Sequence, residues 1–255
     1  MHAPSSILIT GASSGIGEAL ARRYAIPGRR LFLGGRDSAR LEAVAKACRA
    51  TGAEVETKVQ DVTDRDAMAA WVTACDEAAA LDLVIANAGI SAGTGASEGE
   101  TEVQTRRIFA VNLDGVFNTV VPALERMRPR GRGQVALLSS LAAFRGFPGA
   151  PAYCASKAAV RVWGESLRPE LAQEGIRVSV ICPGFVESRM TAVNAFRMPL
   201  LMSAGKAAAV VEKGLARNKG RIAFPLRLYA GVLLLTLLPP AWIDRTMARL
   251  PKKGG

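Results

Sequence analysis

Histidine is nearly missing from this chain. The single one, His2, stands at the terminus, where an imidazole has no rigid support for acid–base or metal chemistry. Cysteine is sparse too. Cys48, Cys75, Cys154 and Cys182 show no metal-ligand spacing and read as reduced thiols of a cytosolic protein, with a disulfide between two of them left open. Long hydrophobic runs are absent. Ile7-Leu8-Ile9 is too short for a signal peptide, and the longest weakly charged apolar run, Leu228 to Leu238, is about half of a membrane span. Aromatic residues make up 5% and are not interleaved with the basic ones, which argues against a nucleic-acid partner despite a net charge of +11. Acidic residues are scarce at one end only. Residues 200–255 hold 10 basic and 2 acidic side chains, a net +8, whereas residues 1–199 hold 23 and 20, a net +3. The basic character therefore belongs to the C-terminal end.

What is present suffices for one large domain. The 255 residues are 49% hydrophobic and 22% charged, which excludes a disordered chain. Short apolar runs alternate with longer amphipathic ones. Strands are expected at Ser6–Thr10, Leu31–Leu33, Glu54–Gln60, Leu83–Ile85, Gln134–Leu138, Arg177–Ile181 and Arg221–Phe224. Helices are expected at Glu18–Ala25, Ser38–Ala50, Asp64–Ala79, Thr101–Met127, Ala152–Gln173 and Lys206–Arg217. Such alternation implies right-handed crossovers and an α/β fold, a doubly wound parallel sheet of Rossmann type covered on both faces. Its ligand crevice lies at the carboxyl ends of the strands. The expected organisation is one domain over 1–225 with an apolar, basic extension over 226–255.

Four segments carry chemistry. The glycines of Thr10-Gly11-Ala12-Ser13-Ser14-Gly15-Ile16-Gly17 fall between the first strand and the first helix, where a helix N-terminus can receive a pyrophosphate. Their spacing is G-x3-G-x-G, not G-x-G-x-x-G, and alone it marks only a Gly-rich turn. Tyr153 and Lys157 stand at i,i+4 and share a helix face. A phenol is a weak acid–base group at neutral pH, and a nearby ammonium favours its phenolate. Alone, such a pair is an ordinary solvated helix face. Ser139-Ser140 ends the fifth strand, and Asn87-Ala88-Gly89 follows the fourth; singly, each reads as a turn.

Taken together, in this order and at these distances, the segments are specific. Over about residues 5–225 the chain resembles the short-chain dehydrogenase/reductase family. The resemblance rests on the Thr10–Gly17 segment, Asp61-Val62, Asn87-Ala88-Gly89, Val111-Asn112, Ser140, the Tyr153–Lys157 pair and Pro183-Gly184. It implies an NAD(P)-dependent enzyme interconverting a carbonyl and an alcohol. Tyr153 would exchange the proton, Lys157 would lower its pKa and hold the nicotinamide ribose, Ser140 would hold the substrate oxygen, and Asn112 would hold a water linking Lys157 to solvent. Ser140 lies thirteen residues before Tyr153, as the family's catalytic serine does, which leaves Ser139 a bystander. Cofactor contacts are implied for Gly11, Ser13, Ser14, Gly15, Ile16, Gly17, Asp61, Val62, Asn87, Ala88, Gly89, Tyr153, Lys157, Pro183, Gly184, Val186 and Ser188. Two departures are mild: Ala86 replaces an asparagine, and Ser188 a threonine. A non-catalytic nucleotide-binding regulator and a membrane-associated scaffold are the alternative functions on this fold. Retention of Asn112, Ser140, Tyr153 and Lys157 argues against the first; the second predicts partner binding without Tyr153.

The family's acidic position at the end of strand two falls on Gly35, and Arg36 follows. Arginine suits a 2′-phosphate, so NADP(H) is expected over NAD(H). Asp37 is read as a cap of the next helix, with Ser38 competing. After Pro183-Gly184, Phe185, Met190, Phe196, Met198 and Met202 suit either a hydrophobic substrate or packing of a lid. Ile222 to Ile243 is apolar with basic flanks, including Arg245, Arg249, Lys252 and Lys253. It suits an anionic membrane surface, the body of the domain or a second subunit. It also departs from the family's tetramer-building tail, so a homodimer is expected, in the cytoplasm or peripheral to a membrane.

Overall fold

A computed structural model describes residues 3–91, 99–194, 196–239, 241–242 and 244. Seven strands form one sheet: β1 (Ser6–Thr10), β2 (Arg30–Gly35), β3 (Glu54–Val59), β4 (Leu83–Ala86), β5 (Gly133–Leu138), β6 (Ile176–Pro183) and β7 (Arg221–Phe224). Their order is β3-β2-β1-β4-β5-β6-β7, and every neighbouring pair is parallel. The winding reverses between β1 and β4, so the crevice expected of such a sheet opens where Thr10 and Ala86 end.

The helices are α1 (Gly15–Tyr24), α2 (Ser38–Arg49), α3 (Arg65–Ala78), α4 (Glu102–Phe109), α5 (Gly115–Met127), α6 (Pro151–Gln173), α7 (Arg189–Ala192), α8 (Ala204–Ala216) and α9 (Leu226–Thr236). Side chains of β1 alternate between two cores. Ile7 and Ile9 pack with Leu20 of α1, Leu41 of α2 and Val211 of α8. Leu8 packs with Val72 of α3, Val120 of α5 and Val160 of α6. Both faces are thus covered, as a parallel sheet requires.

Three features of the structure matter for function. The expected single helix over 101–127 is interrupted: between α4 and α5, Ala110–Asp114 form a π-helical turn. A short helix, α7, follows β6 and was not anticipated. The apolar extension folds as α9 beyond β7, and its Leu228 and Tyr229 pack on Leu141, Val180 and Cys182. Lys252, Lys253, Arg245 and Arg249 of its basic flank lie outside the described residues, as does His2. All four cysteines are free and buried.

Candidate functional site

The crevice is a cleft of about 480 Å3 at the carboxyl edge of the sheet. It is lined by Gly11, Ser13, Ser14, Gly15 and Ile16, by Arg36, Asp61 and Val62, by Asn87, Ala88 and Gly89, and by Tyr153, Lys157, Pro183, Gly184, Val186 and Ser188. Gly17, Asn112 and Ser140 are not on its wall but hold the residues that are.

The glycine turn is built for close approach. Gly11 and Gly15 have φ of +66° and +58°, a region open to glycine at little cost. A Cβ on Gly17 would stand 2.3 Å from the Gly11 carbonyl oxygen and 2.4 Å from Asn87 Nδ2, so α1 and β1 meet backbone to backbone. Asn87 fastens the two sides of the switch point. Its Nδ2 donates to the Thr10 and Gly11 carbonyls at 2.9 and 3.1 Å, and Thr10 Oγ1 accepts from the Asn87 and Ala88 amides at 3.1 and 3.2 Å. Ser14 occupies the N-cap of α1 without a capping side-chain bond. The first turn of α1, whose Gly15 and Ile16 line the cleft, is thus left without a side-chain cap, which fits a pyrophosphate.

The adenosine end lies beyond β2. Gly35 offers no side chain, and a Cβ there would meet Ser13 Cβ and Oγ at 3.2 Å. Arg36 is exposed and makes no hydrogen bond or ion pair of its own among the described residues. Asp37 is the cap of α2, as expected, and accepts from the Arg40 amide at 2.9 Å; Ser38 is the first helical residue instead. Asp37 also pairs with the Arg40 guanidinium at 2.9 Å. Arg40 lines the cleft and was missed by the sequence reading, although its i+4 spacing from Arg36 could have flagged it. Across the mouth, burial raises the Asp61 carboxyl, but hydrogen bonds from Thr63 and the charges of Arg36 and Arg107 outweigh it and hold the group below the usual carboxylate range.

At the other end, Tyr153 and Lys157 of α6 meet Ser140 of the turn that follows β5. Lys157 is 2% exposed, and its Nζ donates to the Leu138 carbonyl at 2.9 Å and lies 5.9 Å from the Tyr153 ring centroid. Burial pushes the amine down to about 8. Burial raises the Tyr153 phenol, and a hydrogen bond with Ser140 draws it back. Ser140 caps a short 3-10 turn, accepting from the Ala142 amide at 3.1 Å, and directs its own proton weakly to the Pro183 carbonyl at 3.5 Å. Ser139 turns away and donates to the Lys157 carbonyl at 2.7 Å.

Asn112 sits in the π turn, fully buried. Its Oδ1 accepts from the Ile90 amide at 2.7 Å, and its Nδ2 donates to the Ile90 carbonyl at 2.9 Å and to Ser156 Oγ at 3.1 Å. It ties the segment after β4 to α6. A Cβ on Gly89 would stand 3.2 Å from both Asn112 Oδ1 and Lys157 Nζ, so only glycine leaves that junction open. On the far wall, Val186 bridges Met202, and Ser188 caps α7 through Thr191, whose amide it accepts at 3.3 Å. Phe185 and Phe196 pack edge to face at 6.0 Å, so part of the apolar segment is lid packing. Among the described residues no group of His, Cys, Asp and Glu could hold a metal ion.

Comparisons with known proteins agree with this geometry. The sequence model for short chain dehydrogenases matches residues 5–197. An uncharacterised oxidoreductase of Myxococcus xanthus is 41% identical over 95% of this chain and 96% of its own. A putative ketoacyl reductase of monensin polyketide synthase from Streptomyces virginiae is 40% identical over 72% of this chain and 71% of its own. Among solved structures, a short-chain dehydrogenase from Sphingobium yanoikuyae in complex with NADPH has a TM-score of 0.81 at 26% identity, covering 96% of both chains. One from Mycobacterium paratuberculosis bound to NAD has a TM-score of 0.74 at 25% identity, covering 86% of this chain and 94% of that one. A match over most of the chain, with Tyr153 and Lys157 on the wall of the dinucleotide cleft and Ser140 behind them, makes this protein an oxidoreductase acting on CH–OH or C=O groups and a member of the short-chain dehydrogenase/reductase family.

Proposed function

We propose that the protein is an NADP(H)-dependent reductase of a hydrophobic ketone or aldehyde of lipid- or steroid-like bulk. The observation that carries the cofactor choice is the end of β2. Gly35 presents no acceptor for a ribose 2′-hydroxyl, Asp37 is engaged by Arg40, and the Arg36 guanidinium is free beside them. A planar guanidinium matches a phosphate better than an uncharged ribose does. The NADPH-bound relative favours this choice; the NAD-bound one shows that the family accommodates either.

The dinucleotide, when bound, supplies the hydride. The chain's own residues would do the rest. Ser140 would move its hydrogen bond from the Pro183 carbonyl to the substrate oxygen. Tyr153 would donate its proton to that oxygen as negative charge develops there. Lys157, as an ammonium, would stabilise the phenolate left behind. Asn112 holds the α6 register that sets these distances. Phe144 and Phe147, between Ser140 and Tyr153, would add apolar wall.

Titration with NADPH and NADH, followed by a panel of ketones and fatty aldehydes, tests the proposal. The parent is expected to bind NADPH more tightly, and Arg36→Ala to weaken NADPH far more than NADH. A lost charged hydrogen bond to phosphate costs on the order of 1.5–3 kcal/mol. Equal affinities in the parent would overturn the preference. A homodimer in the reducing cytoplasm fits the four free thiols and the exposed Val121 and Val162 on α5 and α6; sedimentation velocity measures the assembly.

A further inference from the structure

Helix α9 has one fully buried residue, Val232. Leu228 and Tyr229 fasten it to the sheet edge, packing on Leu141, Val180, Cys182 and Phe144. The Tyr229 hydroxyl also accepts from Arg221 at 2.8 Å. The other face carries Leu226, Ala230, Leu234 and Leu237, whose helical spacing sets them in one stripe. The three leucines are 75%, 62% and 78% exposed, and Trp242, just beyond the helix, is 75% exposed. Such a stripe on a water-facing helix normally marks a contact. Arg227 is exposed on the same helix, and residues 200–255 carry a net +8.

We infer that this stripe lies on the surface of an anionic membrane. Helix α9 would run parallel to the bilayer, with Leu226, Leu234, Leu237 and Trp242 entering the boundary between headgroups and acyl chains. A span is excluded for α9 by length: 11 residues cover about 16 Å against roughly 30 Å of hydrocarbon. No helix among the described residues is long and apolar enough to cross. The competing occupant is a second copy of the chain. A two-fold interface sets a patch against itself, which would bring the exposed Arg227 of each copy into one interface with no acidic residue of α9 to pair it. An anionic lipid surface offers the opposite sign, and an exposed tryptophan suits its interface. The inference stands whichever dinucleotide the cleft prefers.

The test is cosedimentation of the full chain, at low salt, with vesicles of phosphatidylcholine alone and of equimolar phosphatidylcholine and phosphatidylglycerol. The protein is expected to pellet with the anionic vesicles, to bind neutral ones much less, and to be released by salt. Leu234→Glu/Leu237→Glu changes only exposed positions and should lower anionic binding at least about tenfold. Its NADPH affinity should match the parent's, which separates this result from any failure at the cleft. Three outcomes overturn the inference: a full chain that ignores anionic vesicles, a double variant that binds them as the parent does, or a non-binding parent whose oligomer the double variant dissociates. The last would assign the stripe to a second copy.

Discussion

Lys157 is buried and Tyr153 half-buried, and desolvation opposes the charge that each needs in turn. The phenol shares a hydrogen bond with Ser140, so Tyr153→Phe should lower turnover by about 10²–10⁴-fold while leaving NADPH affinity nearly unchanged. Fluorescence titration and steady-state rates together measure this. Retention of more than about a tenth of the rate would exclude the phenol as the donor. Lys157 sets the pH dependence. Burial favours the neutral amine, so the ammonium persists only below a pKa of about 8. Carbonyl reduction should therefore fall as pH rises through about 8, because the phenolate left after proton transfer loses its cation. A rate profile flat across that range would remove Lys157 from the proton chemistry. The shared helix face was legible from the i,i+4 spacing, whereas the roles proposed for the two side chains came from the family resemblance. The Ser140 contact that lowers the phenol was not legible, since it joins the turn after β5 to α6.

At the scale of elements, the glycine turn and the π turn do the positioning. Gly17→Ala would drive a methyl into the Gly11 carbonyl oxygen and the Asn87 amide, and backbone cannot yield as a flexible side chain does. The expected cost is about 1–3 kcal/mol, with loss of dinucleotide binding as α1 shifts. Gly205→Ala is the control: nothing lies within 4 Å of its Cβ, and as a residue of α8 it should gain up to about 1 kcal/mol. Thermal unfolding of the two variants separates steric from conformational effects. The π turn at Ala110–Asp114 draws Asn112 inward onto Ile90 and Ser156. One extra residue in a turn rotates the later side chains by about 100°, and where that rotation falls shows only in the packing of Asn112 against Ile90 and Ser156.

For the whole molecule, one buried carboxylate joins several elements. Asp76 of α3 is 5% exposed and accepts from Arg130 Nη1 and Nη2 at 2.6 and 2.8 Å, from Arg126 at 3.2 Å and from the Leu81 amide at 2.9 Å. Burial raises its pKa, but the Arg130 hydrogen bonds, with those of Leu81 and Arg126, outweigh that and hold it low. The folded pKa lies below the unfolded one, so this stability is complete above about pH 4 and is lost as pH falls through the folded value. Asp76→Ala should cost on the order of 3 kcal/mol at pH 7, since it leaves a buried amide and a half-buried Arg130 without their partner. The cost should shrink as pH falls through the folded value. Urea unfolding across a pH series checks this, and a loss independent of pH would show that charge is not the cause.

The sequence by itself determined what depends on local periodicity and on single residue types. Alternating apolar runs specified a parallel doubly wound sheet, because a strand buried on both faces must be continuously apolar. Gly11, Gly15 and Gly17 marked the turn, because only glycine tolerates its dihedrals and contacts. Tyr153 and Lys157 stood out once their spacing was read together with Ser140, Asn112 and the glycine turn, and the bare Gly35 before Arg36 once the resemblance placed the family's acidic position there. Tertiary structure alone decided the rest. It turned Ser139 toward α6 and Ser140 toward Tyr153, although the two are adjacent and chemically alike. It folded the apolar extension so that Leu228 and Tyr229 are covered while Leu226, Leu234 and Leu237 face outward. Which side of a helix is buried depends on where the sheet edge lies, and composition does not record that position.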